Sequence, residues 1–302
     1  MSETAIVLII FSAFIHASWN FHAKRIHPTV GFFVVGTAVG VLSLTPIVIY
    51  HHDLLASIPA RGWLLVLAGG TFHAIYYYGL ATAYSLGDMS IAYPLARSLP
   101  IVIVSTVTLA FGLGGPISTQ ALIGFVFIVG ACVLLPMGHF SGLRLGNYLN
   151  GCCLLAVVAA IGTSGYSVVD DRAMLLLRNL PGKPFSEITA PANYAVLGGG
   201  TGAVLVGIFA LCFRRHRREV MEVWANHKRD AALLGILMYC NYGLVLGAMA
   251  FSRNVSYITA FRQLSIPIGA VFGMVLLKEA SPAPKLLGIA TLLIGLALVA
   301  TG

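Results

Sequence analysis

Read for where its apolar and polar residues fall, the chain divides into ten apolar stretches joined by short polar ones. They run near 4–22, 29–50, 62–83, 90–111, 118–137, 148–169, 190–213, 231–251, 256–278 and 283–301. Each is close to the ~20 residues that a helix needs to cross the hydrocarbon of a bilayer. None has the every-other-residue alternation of a membrane barrel strand. The pattern therefore predicts ten helices and no long strands. Four stretches carry glycines four apart: Gly36–Gly40, Gly198–Gly202, Gly243–Gly247 and Gly269–Gly273. That spacing puts two bare backbone positions on one helix face, where a neighbouring helix can approach.

The pattern also repeats. Ala81, Ala83, Ser85, Ile91, Ser98 and Pro100 recur 167 residues later as Ala248, Ala250, Ser252, Ile258, Ser265 and Pro267. Each copy is followed by a helix with paired glycines, Gly124/Gly130 and Gly288/Gly295. A repeat of five helices is odd in number, so two copies in sequence must lie in opposite orientations. Inverted repeats with a site at the midplane are a frequent design of secondary transporters. The expected fold is thus an all-α integral membrane protein, with ten transmembrane helices arranged as two inverted five-helix repeats around a central cavity. The halves would be 1–145 and 146–302.

Composition turns apolar helices into membrane helices. Hydrophobic residues make up 58% of the chain and charged residues 9%, where a soluble domain carries about 25% charged. So few charges cannot cover a soluble surface, and a disordered chain is excluded as well. Ten spans leave no length for a separate soluble catalytic domain. The net charge of +8 does not point to nucleic acid. Arg214, Arg215, Arg217, Arg218, Lys228 and Arg229 share one connection between apolar runs, the placement of a cytoplasmic topology signal. Odd-numbered connections hold eleven basic residues and even-numbered ones five, which puts the odd ones in the cytoplasm and both termini outside. Phe213, Val220, Val223 and Trp224 are interspersed in the same connection. It reads equally as a short interfacial helix on anionic lipid or as a solvated charged loop.

Five cysteines, all in or at the ends of apolar runs, have neither zinc spacing nor a secreted disulfide pattern. The segment Met1–Thr4 lacks the positive region of a signal peptide, so the first run reads as a retained helix.

Several short motifs, in order, resemble the drug/metabolite transporter superfamily, EamA-type. They are Ala83-Tyr84-Ser85 with Ser98-Leu99-Pro100, and Ala250-Phe251-Ser252 with Leu264-Ser265-Ile266-Pro267. Leu277-Lys278-Glu279, Leu287-Gly288 and Gly295 complete the second set. His16-Ala17-Ser18-Trp19-Asn20 with Lys24, Tyr93-Pro94-Leu95-Ala96-Arg97, Tyr166 with Asp170, and Arg262-Gln263-Leu264-Ser265 are similar to one branch of that family. That branch often has Glu where this chain has Gln263. The resemblance covers nearly the whole chain. It implies a secondary carrier of small metabolites, often outward, in a cytoplasmic membrane such as the bacterial inner membrane.

Ionisable groups inside a span are costly and mark candidate function. Arg97 lies in the fourth stretch, one turn after Tyr93. Pro94 and Pro100 interrupt the hydrogen-bond ladder of that helix. A guanidinium, a phenol and loosened backbone suit a small anion such as a carboxylate. An arginine paired with an internal acid, or snorkelling to the interface, is the competing account. Arg262, in the ninth stretch, is the second candidate, with an internal salt bridge to Asp170 as its alternative. Asp170, at the predicted end of the sixth stretch, and His16 are candidate coupling groups for protons, against an ordinary helix-end charge and a packed core histidine. Trp19 and Asn20 flank His16. His73 with Tyr76, Tyr77 and Tyr78, and Asn241 and Tyr242 flanked by Tyr239, are polar-aromatic patches deep enough to line a cavity. The expected partners are a small, carboxylate-bearing molecule such as an amino acid, the lipid bilayer and, for coupling, protons.

No cofactor or metal is expected. The alternatives are an integral-membrane enzyme acting on lipid or peptide and a receptor or scaffold that transports nothing. For the enzyme, Gly162-Thr163-Ser164-Gly165 is not a Gly-x-Ser-x-Gly elbow. Ser85-Leu86-Gly87-Asp88 and His51-His52-Asp53 are likewise incomplete as protease and metal motifs. No phosphate-binding Gly-x-x-x-x-Gly-Lys-Ser/Thr occurs, so ATP cannot drive the chain by itself.

Overall fold

The structure is a computed structural model that describes residues 1–26, 29–86, 89–135, 137, 151–182, 184–276, 278 and 282–302, with backbone alone for 20–26, 84–85 and 89–95. Among the described residues there is no strand. The helices are α1 Glu3–Ile26, α2 Val30–Tyr50, the short α3 His52–Leu55, α4 Ala60–Leu86, α5 Met89–Ala110 and α6 Thr119–Leu134. They continue as α7 Gly151–Arg178, α8 Thr189–Cys212, α9 Arg214–Asn226, α10 Lys228–Met249, α11 Val255–Phe261, α12 Ser265–Leu276 and α13 Ala283–Thr301. Among the described residues seven helical segments are long and apolar enough to cross a membrane, counting Val255–Leu276 as one. This is the build of a multi-pass membrane protein. The apolar segments Glu3–Trp19 and Ala96–Ala110 are the parts of the 24-residue α1 and the 22-residue α5 whose side chains are described, and Thr119–Leu134 has 16 residues. The boundary between the expected halves falls among residues 138–150, outside the described residues.

Local chemistry sets several helix starts. Thr29, Ser118 and Asn254 accept from the backbone N–H of Phe32, Ala121 and Ser256 as N-caps. The ninth apolar stretch is not one helix. It breaks at a 3-10 turn, Arg262–Leu264, between α11 and α12. Pro267 has no N–H for the carbonyl of Gln263, and the Ser265 hydroxyl donates to the Arg262 carbonyl at 3.1 Å. The ladder is therefore interrupted where Arg262 and Gln263 stand.

Small residues set the approach of the helices. A Cβ on Gly235 of α10 would lie 1.8 Å from the Gly36 carbonyl oxygen of α2, and one on Gly124 of α6 would lie 2.7 Å from the Gly295 carbonyl of α13. Gly162, part of the incomplete enzyme motif, is a packing residue: a Cβ there would lie 2.6 Å from the Tyr76 nitrogen. Gly243 and Gly269, by contrast, face open space. The packing pairs come in matched sets. α4 packs on α7 and α8, while α10 packs on α1 and α2; α6 packs on α13, and α2 on α8.

Contacts at the ends sort the connections. Ser2 Oγ donates to the Phe251 carbonyl, Gly115 N–H to that of Arg253, Arg178 to that of Ala250, and Gln120 to Thr301 Oγ1. Both chain ends thus share one end of the bundle with the turns at 111–118 and 250–254. The start of α2 and α9 are joined at the opposite end, where Gly31 N–H donates to Glu219.

Two boundaries differ from the apolar pattern. α7 runs nine residues beyond the predicted stop at 169, to Arg178. Asp170 is therefore not at a helix end; it is fully buried. The charges Asp170, Asp171 and Arg172 broke the apolar run, but inside the helix Asp170 meets Tyr194 and Tyr242 from other helices, and Asp171 and Arg172 pair with each other. The second difference is the basic connection, which is largely the helix α9.

Candidate functional site

A cavity opens where α1, α4, α5, α7 and the broken α11–α12 helix meet. Its polar walls are His16, Tyr76, Arg97, Thr163, Tyr166, Thr259, Arg262 and Gln263, and Leu80, Ala96 and Pro100 complete it. Pro100 provides no ladder donor for the Ala96 carbonyl, so the α5 wall is locally loosened.

The two arginines enter from α5 and from the break after α11. Arg262 donates to the Tyr166 hydroxyl at 3.5 Å, the long limit of a hydrogen bond, and forms no ion pair among the described residues. Arg97 meets His16 Nε2. The other nitrogen of that ring, Nδ1, receives the Trp19 indole N–H at 3.3 Å and has the Asn241 amide nitrogen at 3.4 Å. A neutral imidazole has one acceptor nitrogen. Two donor-only groups, guanidinium and indole, face its two nitrogens, so in either tautomer one of them meets an N–H. No carboxylate occurs among the described lining residues.

Two further wall atoms are unusual. Thr259 Oγ1 and Gln263 Oε1 are buried without a hydrogen-bond partner, on residues 2% and 4% exposed. The Gln263 amide nitrogen donates to the Thr259 carbonyl at 3.2 Å, which fixes the side chain. Buried polar atoms are nearly always paired. Both residues line the cavity beside Arg262.

A second polar cluster lies behind the Tyr166 wall. His73 stacks on Tyr166 with centroids 4.0 Å apart and planes at 15°, and its Nδ1 lies 3.0 Å from the Gly69 carbonyl. Tyr242 packs edge-on against His73 at 4.8 Å. The Tyr242 hydroxyl donates to Asp170 Oδ2 at 2.8 Å, and that of Tyr194 to Oδ1 at 3.0 Å. Asp170 has no ion pair among the described residues. The expected alternative of a salt bridge from Arg262 to Asp170 is not found: Arg262 points to Tyr166 and into the cavity.

Of the candidates, the structure brings Arg97, Arg262 and His16 to the cavity wall. Trp19 and Asn241 stand one layer back, as partners of His16; Ser12 Oγ donates to Asn241 Oδ1 at 2.6 Å. His73 and Tyr242 back Tyr166. Tyr77 is 5% exposed and stacks on Phe33; its neighbour Tyr76, about 100° round the helix, takes the wall position. The side chains of Tyr93 and Asn20 lie outside the described residues, as do Lys24 and Glu279. Sequence reasoning missed Thr163, Thr259 and Gln263 as wall residues and Tyr194 as a partner of Asp170. Short polar residues in an apolar helix usually bond their own i−4 carbonyl, as Ser164 does to Ala160, so they give no signal until the facing helices are known. No group of three metal-ligating side chains occurs among the described residues.

No family model matches the chain, and no curated protein does. Solved structures do. One, described only as a crystal structure of a protein, superposes with a TM-score of 0.65 at 15% identity, covering 100% of this chain and 99% of that one. At that identity the likeness is one of fold alone, and it extends over the whole chain.

Proposed function

We propose that the protein is a secondary transporter of the drug/metabolite type, EamA-like, moving small carboxylate-bearing metabolites such as amino acids across a cytoplasmic membrane by alternating access. The observation that carries this reading is the cavity: two arginines reach its wall, no acid occurs among its described lining residues, and Arg262 forms no ion pair among the described residues. A buried cation needs compensation, and a substrate carboxylate provides it with a planar, bidentate match. The polar side chains of Gln263 and Thr259 on the wall suit an ammonium or hydroxyl near the carboxylate. In this reading α1, α5 and α6 also span, giving ten. The matched packing pairs are those expected of two inverted halves, in which α4 on α7 corresponds to α10 on α1. Asp170 and His16 remain the groups proposed for proton coupling.

Liposomes containing only this protein test the proposal. Labelled amino acids, organic acids and organic cations are offered with and without a pH gradient. Saturable uptake of carboxylate-bearing compounds is expected. Uptake of cations alone, or none of any class with correctly inserted protein, refutes the reading. Orientation is tested separately. Ala225→Cys should escape, and Ser2→Cys react with, an impermeant thiol reagent added outside intact cells.

A further inference from the structure

We infer that α9 is a binding site for anionic phospholipid headgroups, built into the end of the bundle where α8 and α10 meet the membrane surface. The inference is independent of what the cavity carries. α9 joins two helices that are both long and apolar enough to span, so it lies at the level where spans end.

One face of α9 is fixed to the protein. A Cβ on Gly31 would lie 2.5 Å from the backbone of Glu219 and Val220, so α9 sits directly on the start of α2. Gly31 N–H donates to Glu219 Oε2 at 3.3 Å, and His216 Nδ1 lies 3.1 Å from the same oxygen. Val223 is buried, and the His216 ring packs among Phe209, Phe213 and Tyr78.

The other face is open and mixed. Met221 is 71% exposed and Trp224 61%. Helical spacing puts Arg217, Met221 and Trp224 in one row and Arg214, Arg218 and Met221 in the next. Arg217 donates to the Leu211 carbonyl at the end of α8, which anchors its head at the junction. Arg214 and Arg218 have no ion pair among the described residues. Water is a poor solvent for the apolar members of this face, and hydrocarbon is a poor one for its arginines. The interface accommodates both: tryptophan is favoured at headgroup depth, and arginine forks match phosphate. Anionic leaflets attract such basic surfaces directly.

The test uses the purified protein in nanodiscs of phosphatidylcholine and phosphatidylglycerol, with bromine on the acyl chains of one lipid or the other at equal mole fraction. The emission of Trp224 is taken as wild type minus Trp224→Phe. Brominated phosphatidylglycerol should quench it roughly twofold more than brominated phosphatidylcholine, and high salt should reduce the excess. Arg214→Gln/Arg218→Gln should bring the two lipids to parity. Arg253→Gln, an exposed charge at the opposite end of the bundle, should leave the excess intact. Equal quenching of the wild-type protein by both lipids overturns the site, with no variant needed. Absence of quenching by either does so too, because α9 then faces water or a protein partner. An excess that survives in the double variant removes the arginines from it.

Discussion

Two buried charged clusters, separated by little more than the Tyr166 and His73 rings, solve the same problem in opposite ways. Asp170 is fully buried and holds two phenol donors, so its charge is met inside the protein. Arg262 is only part-buried, holds one long bond to Tyr166, and lines a cavity with Thr259 and Gln263 beside it. A charge satisfied internally acts as structure. A charge left to the cavity is available to a ligand. The difference lies in the geometry of the partners rather than in the charge, since both residues interrupt apolar helices.

The sharpest way to break this comparison is at Asp170. Asp170→Leu leaves two buried phenols without acceptors and should destabilise the protein by about 2–5 kcal/mol, read as an early melt in detergent. Asp170→Asn keeps an acceptor oxygen and should cost ~1 kcal/mol. If Asp170 also couples protons, the Asn variant should transport but lose its response to a pH gradient. A normal response assigns it to structure alone.

Arg262→Gln should do the reverse. Carboxylate affinity should weaken by ~1.5–3 kcal/mol, the scale of a charge-assisted hydrogen bond, with little change in melting. Arg97→Gln should weaken affinity similarly but also loosen the His16 contacts. An Arg262 variant that melts early and binds normally would place that arginine with the internally satisfied groups.

Gln263→Leu should act on selectivity. An α-amino or α-hydroxy acid should lose ~1 kcal/mol relative to the plain carboxylate of the same size, measured by competition. Equal losses for both would remove the donor subsite. The smallest effect is expected of Tyr166→Phe, a few tenths of a kcal/mol in affinity, because its bond to Arg262 is at the limit of length.

How much of this was readable beforehand depends on the range of the interaction that decides it. Apolar runs of span length reported the helices, since the preference of twenty consecutive residues for lipid needs no partner to be stated. The Gly36–Gly40 pair reported a close contact, although the same spacing at Gly243–Gly247 did not. Arg97, Arg262 and His16 stood out because an ionisable group in an apolar run is costly wherever it points. The extent of α7 was not readable. Asp170, Asp171 and Arg172 look like a helix end until Tyr194 and Tyr242, from other helices, are brought onto the carboxylate. Nor could periodicity choose between Tyr76 and Tyr77, or mark Gln263 as an open acceptor. Those depend on which faces meet across the bundle, and on a break at Arg262–Leu264 that turns Gln263 toward the cavity. The sequence by itself determined that this chain is helical, lipid-embedded and internally charged at a few positions. The tertiary structure decided which of those charges are closed off and which are left for a ligand, because satisfaction of a buried charge is set by side chains far apart in the chain.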